Sequence, residues 1–238
     1  MPNPDIEIVT HCWNYSRLLT QQLASLVMYP PKCRVRVTVA MSPKDDGDTV
    51  DAAARAAMRF QRVGVGMHMI GLPKGQLCRR AIGRNIAAQA TSARIVWFTD
   101  CDYLFGPGCL DWLSENWPED AILAYPRVVR KCPKEYGDKI IAGTLEDNPI
   151  RPRLAAFKPR KHGRAIGGIQ IVSGDVAREK GYLPNHRRYQ KPVDRWRKTN
   201  EDPAYRRSLG TSGTQMDIPE VYRIRHTQYG RKHVGVEL

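Results

Sequence analysis

The sequence predicts an α/β fold built on a mostly parallel sheet with helices on both faces. Three observations lead to this prediction. Segments with strand and helix patterns alternate over residues 1–126, as they do in doubly wound sheets. Residues 93–99 are apolar almost throughout, which is typical of a strand buried on both faces. The 238 residues, 42% of them hydrophobic, are enough for one well-packed domain.

The elements of the first half follow from local patterns. Residues 6–10 alternate and are rich in β-branched side chains, which predicts the first strand. Residues 16–28 carry apolar side chains at helical spacing, and Pro30 and Pro31 then stop the helix. The same criteria predict the remaining elements, which are strands at 35–40, 67–70, 93–99 and 121–125 and helices at 48–62 and 76–90.

The second half has a weaker pattern. Residues 127–165 are rich in Pro, Lys and Arg with little periodicity, which predicts an excursion of loops or a small lobe. A second loop region is expected at 184–200. The other predicted elements are strands at 167–173 and near 221–226 and helices at 174–181 and near 203–209. We therefore divide a single domain into the halves 1–126 and 127–238.

Cysteine usage and hydropathy bear on the compartment. The six cysteines form no CxxC pair, which indicates free thiols in a reducing compartment. The longest apolar stretches are far shorter than the roughly 20 residues of a membrane helix, and no signal peptide pattern is present. These features predict a cytoplasmic protein with no transmembrane segment. Nothing in the sequence indicates its oligomeric state.

The positive charge is concentrated in one segment. The chain has 38 basic and 24 acidic side chains, a net charge of +14. Residues 127–207 hold 21 basic and nine acidic side chains, whereas residues 1–126 hold 13 and 12. Clustered basic residues are typical of proteins that bind nucleic acid or an anionic membrane. A solvated basic face without a partner is the alternative interpretation.

The acidic pair Asp100 and Asp102 directly follows the apolar strand at 93–99. Ligands of open α/β sheets bind outside the carboxyl ends of the strands. Two carboxylates placed close together there need a cation to offset their repulsion, and Mg²⁺ or Mn²⁺ accepts such oxygen ligands. The alternative is a pair of turn aspartates that cap the next helix.

Further polar pairs follow other predicted elements. Asp45 and Asp46 come after the second strand, where they could also cap the next helix. Glu201 and Asp202 precede the helix near 203–209, and an acidic first turn is again the simpler interpretation. The list is completed by Arg84 and Asn85 before the strand at 93–99 and by His226 at the end of the late strand.

The order of these motifs resembles glycosyltransferase family 2. The resemblance covers residues 5–228 and implies the GT-A fold, a Rossmann-like, mostly parallel sheet with a loop-rich acceptor segment, here the basic one. The motifs that carry it, in chain order, are the Asn14-Tyr15 loop, Asp-Asp-Gly-Asp-Thr at 45–49, Arg84-Asn85, Asp100-Cys-Asp102, Gly167-Gly168 and Glu201-Asp202.

The resemblance implies a nucleotide-sugar donor, by family habit a UDP-hexose, and a Mn²⁺ or Mg²⁺ ion. Asp100 and Asp102 would hold the metal and the donor diphosphate, and His226 would complete the metal shell. The metal would neutralise the departing diphosphate. The residues expected at the nucleotide sugar are Thr10, Asn14, Asp45, Asp46, Arg84, Asn85 and Asp100.

Glu201 and Asp202 match the position of the family's general base. An inverting transfer needs a carboxylate that deprotonates the acceptor hydroxyl opposite the leaving diphosphate. We choose Asp202 first and Glu201 second. Arg195-Trp196 lacks the Gln-x-x-Arg-Trp context of processive synthases, which favours transfer of a single sugar.

The basic segment suggests a DNA acceptor. Lysine and arginine side chains there could contact phosphates, and interleaved aromatic rings could stack on a flipped base. The leading hypothesis is a hydroxymethylated pyrimidine in DNA, as in the glycosylated genomes of some bacteriophages, in which case the protein would act in the host cytoplasm. The expected acceptor contacts are Arg187, Arg188, Lys191, Trp196 and Gly168.

Two alternatives remain open from sequence. One is a cytosolic transferase that acts on a lipid-linked or surface-polysaccharide acceptor at the anionic inner leaflet. The other is a non-catalytic nucleic-acid-binding protein on the same scaffold. The presence of both acidic pairs favours an enzyme.

Overall fold

Two β-sheets and eight α-helices make up the part of the chain that the computed structural model describes, residues 3–145, 154–196 and 200–228. The strands are β1 (Ile6–His11), β2 (Val35–Met41), β3 (Gly66–Gly71), β4 (Ile95–Phe98), β5 (Tyr103–Phe105), β6 (Leu123–Pro126), β7 (Val128–Lys131), β8 (Lys158–Lys161), β9 (Gln170–Ser173), β10 (Thr214–Met216) and β11 (Val221–Arg223). The helices are α1 (Ser16–Met28), α2 (Gly47–Phe60), α3 (Lys74–Leu77), α4 (Arg80–Ala90), α5 (Cys109–Glu115), α6 (Lys134–Ala142), α7 (Gly174–Lys180) and α8 (Glu201–Ser208).

The large sheet has seven strands in the order β10-β6-β9-β4-β1-β2-β3. All neighbouring pairs are parallel except those of β9, which runs antiparallel to β4 and β6. Every residue of β1 and β4 is buried, as expected for central strands covered on both faces. The predicted α/β fold with a mostly parallel sheet is therefore confirmed.

The strand order reverses between β1 and β4. From β1 the chain adds β2 and then β3 on one side, and it returns to place β4 on the other side of β1. Loops that leave the carboxyl ends of two such strands diverge, and the crevice between them is where open α/β sheets bind ligands. His11 ends β1 and Asp100 follows β4, so both residues lie at this crevice.

A second sheet has four strands in the order β5-β11-β7-β8. Strands β7 and β8 lie in the segment 127–165 that was predicted as loops or a small lobe, and β11 corresponds to the strand predicted near 221–226. Strand β5 was missed because it has only three residues and pairs with β11, more than 100 residues away in the sequence. Strands β7 and β8 were missed because their charged side chains hide the alternation. The small sheet brings Asp102, just before β5, beside Arg223 in β11.

The segment predicted as one helix at 76–90 is two helices. Helix α3 ends at Leu77 and α4 begins at Arg80, since the Arg79 backbone is non-helical, with φ −107° and ψ 89°. The break lets the Arg79 side chain reach across to Glu201, where its Nη1 lies 3.3 Å from Oε1.

No helix in the described ranges has the length and apolar character needed to cross a bilayer.

Gly168 joins the two sheets by close contact. Its carbonyl oxygen accepts a hydrogen bond of 3.2 Å from Nε1 of Trp97 in β4. A Cβ atom at position 168 would lie only 2.1 Å from the ring of Tyr103 in β5. Tyr103 directly follows Asp102, so this contact also fixes the end of the loop that carries the acidic pair.

We expect Gly168→Ala to lower the free energy of unfolding by about 1–3 kcal/mol or more, because the added methyl group overpacks a buried contact. Denaturant unfolding at pH 7.5 measures the effect. Gly163→Ala is the matched control, since a Cβ there has no heavy atom within 4 Å. Equal stability of the two variants would contradict the proposed contact.

Candidate active site at the carboxyl edge of the large sheet

A cavity opens at the carboxyl ends of β1 and β4. Both predicted metal-binding aspartates and His226 line it, together with residues that the sequence analysis did not single out. The lining residues are His11, Trp13, Tyr15, Arg80, Asp100, Cys101, Asp102, Trp196, Arg223, His226 and Gln228. The cavity thus lies at the place that the strand order predicts for a ligand.

Asp100 is paired with two arginines of α4. Its Oδ1 accepts hydrogen bonds from Nη1 of Arg80 at 2.8 Å and Nη2 of Arg84 at 3.3 Å. Burial alone would raise the pKa of Asp100, but the guanidinium groups of Arg80, Arg84 and Arg223 hold it below its ordinary value. The carboxylate is therefore ionised, and its charge is already balanced by the protein.

Arg84 is completely buried and depends on its partners. Its guanidinium group donates to the carbonyl oxygens of Thr99 and Gly167, at 3.2 and 2.7 Å, and to the hydroxyl oxygen of Tyr182 at 3.0 Å. A buried cation without such partners would cost several kcal/mol. Arg84 therefore links α4 to the loop after β4 and to the segment before β9.

Asp102 faces Arg223 and His226. Its Oδ2 accepts a hydrogen bond of 2.9 Å from Nε of Arg223 and lies 3.8 Å from Nε2 of His226. Nδ1 of His226 lies 2.7 Å from the carbonyl oxygen of Thr227, a contact that leaves Nε2 turned toward Asp102. The other carboxylate oxygen, Oδ1, is buried and has no hydrogen-bond partner within the described residues.

These features fit a hard divalent cation held by few protein ligands. The unpartnered Oδ1 of Asp102 and Nε2 of His226 are suitable donor atoms, and hydrogen bonding of Nδ1 to a carbonyl is the usual way in which a ligating imidazole is oriented. Across the described ranges, no three His, Cys, Asp or Glu side chains are arranged as a complete metal site. Such an ion would therefore take its remaining ligands from substrate phosphates and water, as Mg²⁺ commonly does.

Glu201 and Asp202 are at the start of α8. Their carboxylates lie within 4 Å of the guanidinium groups of Arg79, Arg80 and Arg84. The Glu201 side chain is only 2% exposed, and its Oε1 is 3.3 Å from Nη1 of Arg79. The Asp202 side chain is 19% exposed, and its Oδ1 is 3.7 Å from Nη1 of Arg84, too far for a hydrogen bond. Asp202 is thus the more accessible and less tightly paired of the two carboxylates.

Four carboxylates therefore meet four guanidinium groups at one edge of the sheet. Guanidinium groups that bind carboxylates in this way can also bind a diphosphate, because both ligands present paired anionic oxygens. The site can accept an anionic ligand and still offer carboxylates for proton transfer. The eight residues are Asp100, Asp102, Glu201, Asp202, Arg79, Arg80, Arg84 and Arg223.

The predicted nucleotide contacts divide into two groups. Asp46 caps α2, since Thr49 donates its backbone N–H and its hydroxyl to the two carboxylate oxygens at 3.1 and 2.6 Å. Its Oδ2 also accepts the backbone N–H of Asn14, which has a left-handed φ of 57°. The capping alternative is therefore correct for Asp46. A base or ribose contact of the exposed Asp45 stays a prediction.

Two further residues predicted to contact the nucleotide, Asn85 and Thr10, lie outside the cavity. Oδ1 of Asn85 accepts the backbone N–H of Tyr182 at 3.0 Å, which holds the chain just after α7. Thr10 is buried in β1, and its hydroxyl has no hydrogen-bond partner within the ranges described. Neither residue lines the cavity, so a nucleotide-binding role for them stays a prediction.

The predicted acceptor residues lie in different places. Trp196 lines the cavity itself. Arg187, Arg188 and Lys191 line a separate, open hollow on the surface. The hollow is tied to the site because the carbonyl oxygen of Lys191 accepts a hydrogen bond of 3.2 Å from Nε of Arg79. Gly168 does not line the cavity.

Sequence reasoning missed five residues of the cavity, among them Arg80, Arg223 and His11. Arg80 stands one turn before the Arg84 that was identified, so helical spacing could have suggested it. Arg223 has no comparable signal, because its approach to Asp102 depends on the pairing of β5 with β11. His11 could have been noticed as a polar residue at the carboxyl end of a buried strand.

His11 is buried among cations. Burial, together with the nearby Arg84 and Arg80, lowers the pKa of His11 well below its ordinary value. A Cβ atom on Gly83 would lie 2.5 Å from its Nε2, so the ring packs directly against α4. The imidazole is therefore neutral in the folded protein at physiological pH.

Solved structures with a similar fold include transferases. The mannosyltransferase PcManGT from Pyrobaculum calidifontis, in complex with GDP-Man and Mn²⁺, is 16% identical with a TM-score of 0.56, and the match covers 94% of this chain and 57% of that one. The 1–349 segment of TarS from S. aureus is 11% identical with a TM-score of 0.51, covering 93% and 57%. The glycosyltransferase GlyE from Streptococcus pneumoniae is 12% identical with a TM-score of 0.52, covering 90% and 45%.

At these identities the similarity establishes the fold. It confirms the predicted fold class, and the mostly parallel sheet with flanking helices matches that of these proteins. The chain spans about half the length of each of them. No protein-family model matches the sequence, and no curated protein does.

We expect the stability of the protein to fall below pH 6.5 partly because of His11. The unfolded chain takes up a proton there, whereas the folded His11 stays neutral, so the free energy of unfolding drops by up to about 1.4 kcal/mol per pH unit. Denaturant unfolding between pH 7.5 and 5.5 should show a smaller drop for His11→Gln. His68→Gln, at an exposed position in β3, should keep the wild-type dependence. Identical pH dependence of wild type and His11→Gln would contradict this.

Proposed function

We propose that the protein is a nucleotide-sugar glycosyltransferase of the GT-A type that transfers one sugar, with inversion, to a hydroxyl acceptor. The observation that carries the proposal is the meeting of four carboxylates and four guanidinium groups at the switch point of a GT-A-like sheet. Asp100 and Asp102 stand at the carboxyl end of β4, and Glu201 and Asp202 face them across Arg80 and Arg84.

The donor half of the proposed site is the cavity. Asp102 and His226 would hold Mn²⁺ or Mg²⁺, which supplies Lewis-acid stabilisation of the leaving diphosphate. Arg80 and Arg223 would orient the diphosphate oxygens through charge-assisted hydrogen bonds. The structure of PcManGT with GDP-Man and Mn²⁺ supports a nucleotide-sugar donor and a divalent metal. We propose UDP as the donor nucleotide on the basis of the family resemblance.

Asp202 is the proposed general base. Proton abstraction requires a carboxylate that the acceptor hydroxyl can reach, and Asp202 is more exposed than Glu201. Glu201 is instead paired with Arg79, and through Arg79 it is linked to the segment that carries Lys191. Glu201 therefore positions the acceptor side of the site.

The proposed acceptor is a hydroxymethylated pyrimidine in DNA. Trp196 lines the cavity, where its indole could stack on a base taken out of the duplex. Arg187, Arg188 and Lys191 line the separate surface hollow and are exposed cations suited to phosphate contacts. Together they support an acceptor with aromatic and anionic parts.

We expect the purified protein with Mn²⁺ to transfer radiolabelled hexose from UDP-hexose to 5-hydroxymethylcytosine DNA and not to unmodified DNA. EDTA should abolish the transfer, and Asp102→Asn should lose donor binding and turnover together. Separation of labelled DNA from free sugar measures the product.

Full activity in EDTA would disprove the metal role. Transfer to an undecaprenyl-phosphate acceptor and not to DNA would leave a glycosyltransferase with a lipid-linked acceptor. DNA binding without any hydrolysis of nucleotide sugars would leave a non-catalytic nucleic-acid-binding protein.

Asp202→Asn should keep donor affinity and lower the transfer rate by about 10²–10⁴-fold, because the amide keeps the shape and cannot accept the proton. Calorimetric titration with UDP measures the affinity, and single-turnover transfer measures the rate. Glu201→Gln serves as the comparison. If Glu201→Gln shows the large loss and Asp202→Asn does not, the assignment of the base to Asp202 is wrong.

A further inference from the structure

One face of the small sheet carries a series of adjacent cations that begins at the cavity. Arg223 in β11 is directly opposite Lys131 in β7, and Lys131 is directly opposite Lys158 in β8. Residues opposite one another on neighbouring strands share a face of the sheet, and neighbouring strands are about 4.8 Å apart. Arg160, two residues after Lys158, is on the same face. We call these four residues the cationic face.

This arrangement costs stability. Like charges directly opposite one another on neighbouring strands repel. Partial burial and the nearby guanidinium groups of Arg223, Arg225 and Arg160 lower the pKa of Lys131, so the repulsion reaches this side chain from several strands. Of the four residues, only Arg223 has a carboxylate within 4 Å in the described part of the chain, and that carboxylate is Asp102.

On the opposite face of the same strands, a cation is paired with a carboxylate. Arg130 in β7 has Nε 3.8 Å from Oε1 of Glu220. Protection of an edge strand by charge would explain exposed lysines on either face of β8. It does not explain why Lys131, inside the sheet, has no carboxylate within 4 Å among the described residues while its neighbour Arg130 has one.

Exposure decreases along the cationic face toward the cavity. Lys158 and Arg160 are exposed on the edge strand β8, Lys131 is partly buried, and the side chain of Arg223 is 24% exposed beside Asp102. The cations thus lead from open solvent to the lining of the cavity. A linear anion can follow this path.

We propose that the cationic face binds the phosphodiester backbone of one nucleic-acid strand and leads it to the cavity. Successive phosphate groups would lie on Lys158 and Arg160, then on Lys131. The path ends at Arg223, where a base could enter the cavity beside Trp196. This proposal rests on the proposed function for the direction of the strand, and it names a second surface, besides the hollow lined by Arg187, Arg188 and Lys191, that would hold the acceptor.

The graded burial favours a nucleic-acid strand over a membrane. A bilayer surface contacts exposed side chains and cannot follow cations that recede into the protein. A single strand is flexible and carries one phosphate per nucleotide, so it can contact both exposed and partly buried cations.

The test compares two double variants that remove the same charges from opposite faces. Lys158→Ala with Arg160→Ala removes two cations of the cationic face, and Arg130→Ala with Lys161→Ala removes one Lys and one Arg from the other face. Fluorescence anisotropy of a labelled 20-nucleotide DNA strand is measured from 50 to 300 mM NaCl without donor. The slope of log K against log salt is negative. In the first variant it should become less steep by about 1.4, and in the second variant it should stay at the wild-type value.

Equal slopes for the two variants, or no change in either, would overturn the proposal. Face-dependent binding to phosphatidylserine vesicles with no binding to the DNA strand would also overturn it and would identify a membrane as the partner. The Tm of the first variant at low salt should equal or exceed that of wild type, because the repulsion is relieved. A clearly lower Tm would show that these charges serve the fold, contrary to the proposal.

Failure of the proposed function gives a different result. The binding measurement needs neither donor nor metal, so face-dependent DNA binding can persist in a protein that transfers no sugar. Conversely, sugar transfer with DNA binding that is indifferent to the cationic face would leave the proposed function standing and remove this inference.

Discussion

The burial of Arg84 is the constraint on which the rest of the site depends. A guanidinium group without solvent contact must be surrounded by acceptors, and the chain provides them from the loop after β4, from Gly167 and from Tyr182. Because all of these must be in place together, α4, the end of β4 and the start of β9 cannot shift independently. Asp100 is held as part of the same set, so the geometry of the cavity is a consequence of satisfying one buried charge.

Periodicity and strand context allowed six of the seven strands of the large sheet and the acidic pairs to be predicted from sequence, whereas the three-residue strand β10 was missed. The central strands are short, β-branched and bounded by turns, and the Asp100–Asp102 pair follows one of them directly. Of the small sheet only β11 was expected from sequence, as the strand near 221–226. The other three strands have three or four residues, and β5 pairs with β11 across more than 100 residues. The position of Arg223 beside Asp102 could not be foreseen for the same reason.

The two acidic pairs of the first half show why sequence alone leaves alternatives. Asp46 and Asp102 both follow a strand, and both could cap a helix. In the structure the oxygens of Asp46 are satisfied by Thr49 and Asn14, whereas Asp102 keeps one buried oxygen without a hydrogen bond in the described part of the chain. The distinction depends on what surrounds each carboxylate, and that is set by contacts far away in the chain.

In the proposed enzyme, the link between Asp102 and β11 would couple the binding of the donor to the binding of the acceptor. The carbonyl oxygen of Asp102 accepts the backbone N–H of Ile224 at 2.7 Å, and its carboxylate accepts from Arg223. Any ligand that draws the Arg223 side chain away from Asp102 would change how firmly Asp102 is held, and a ligand at Asp102 would change the freedom of the Arg223 side chain. Because such coupling free energies are reciprocal, donor and acceptor would alter each other's affinity by the same factor. Redesign of the small sheet for a new acceptor would therefore also change the affinity for the donor.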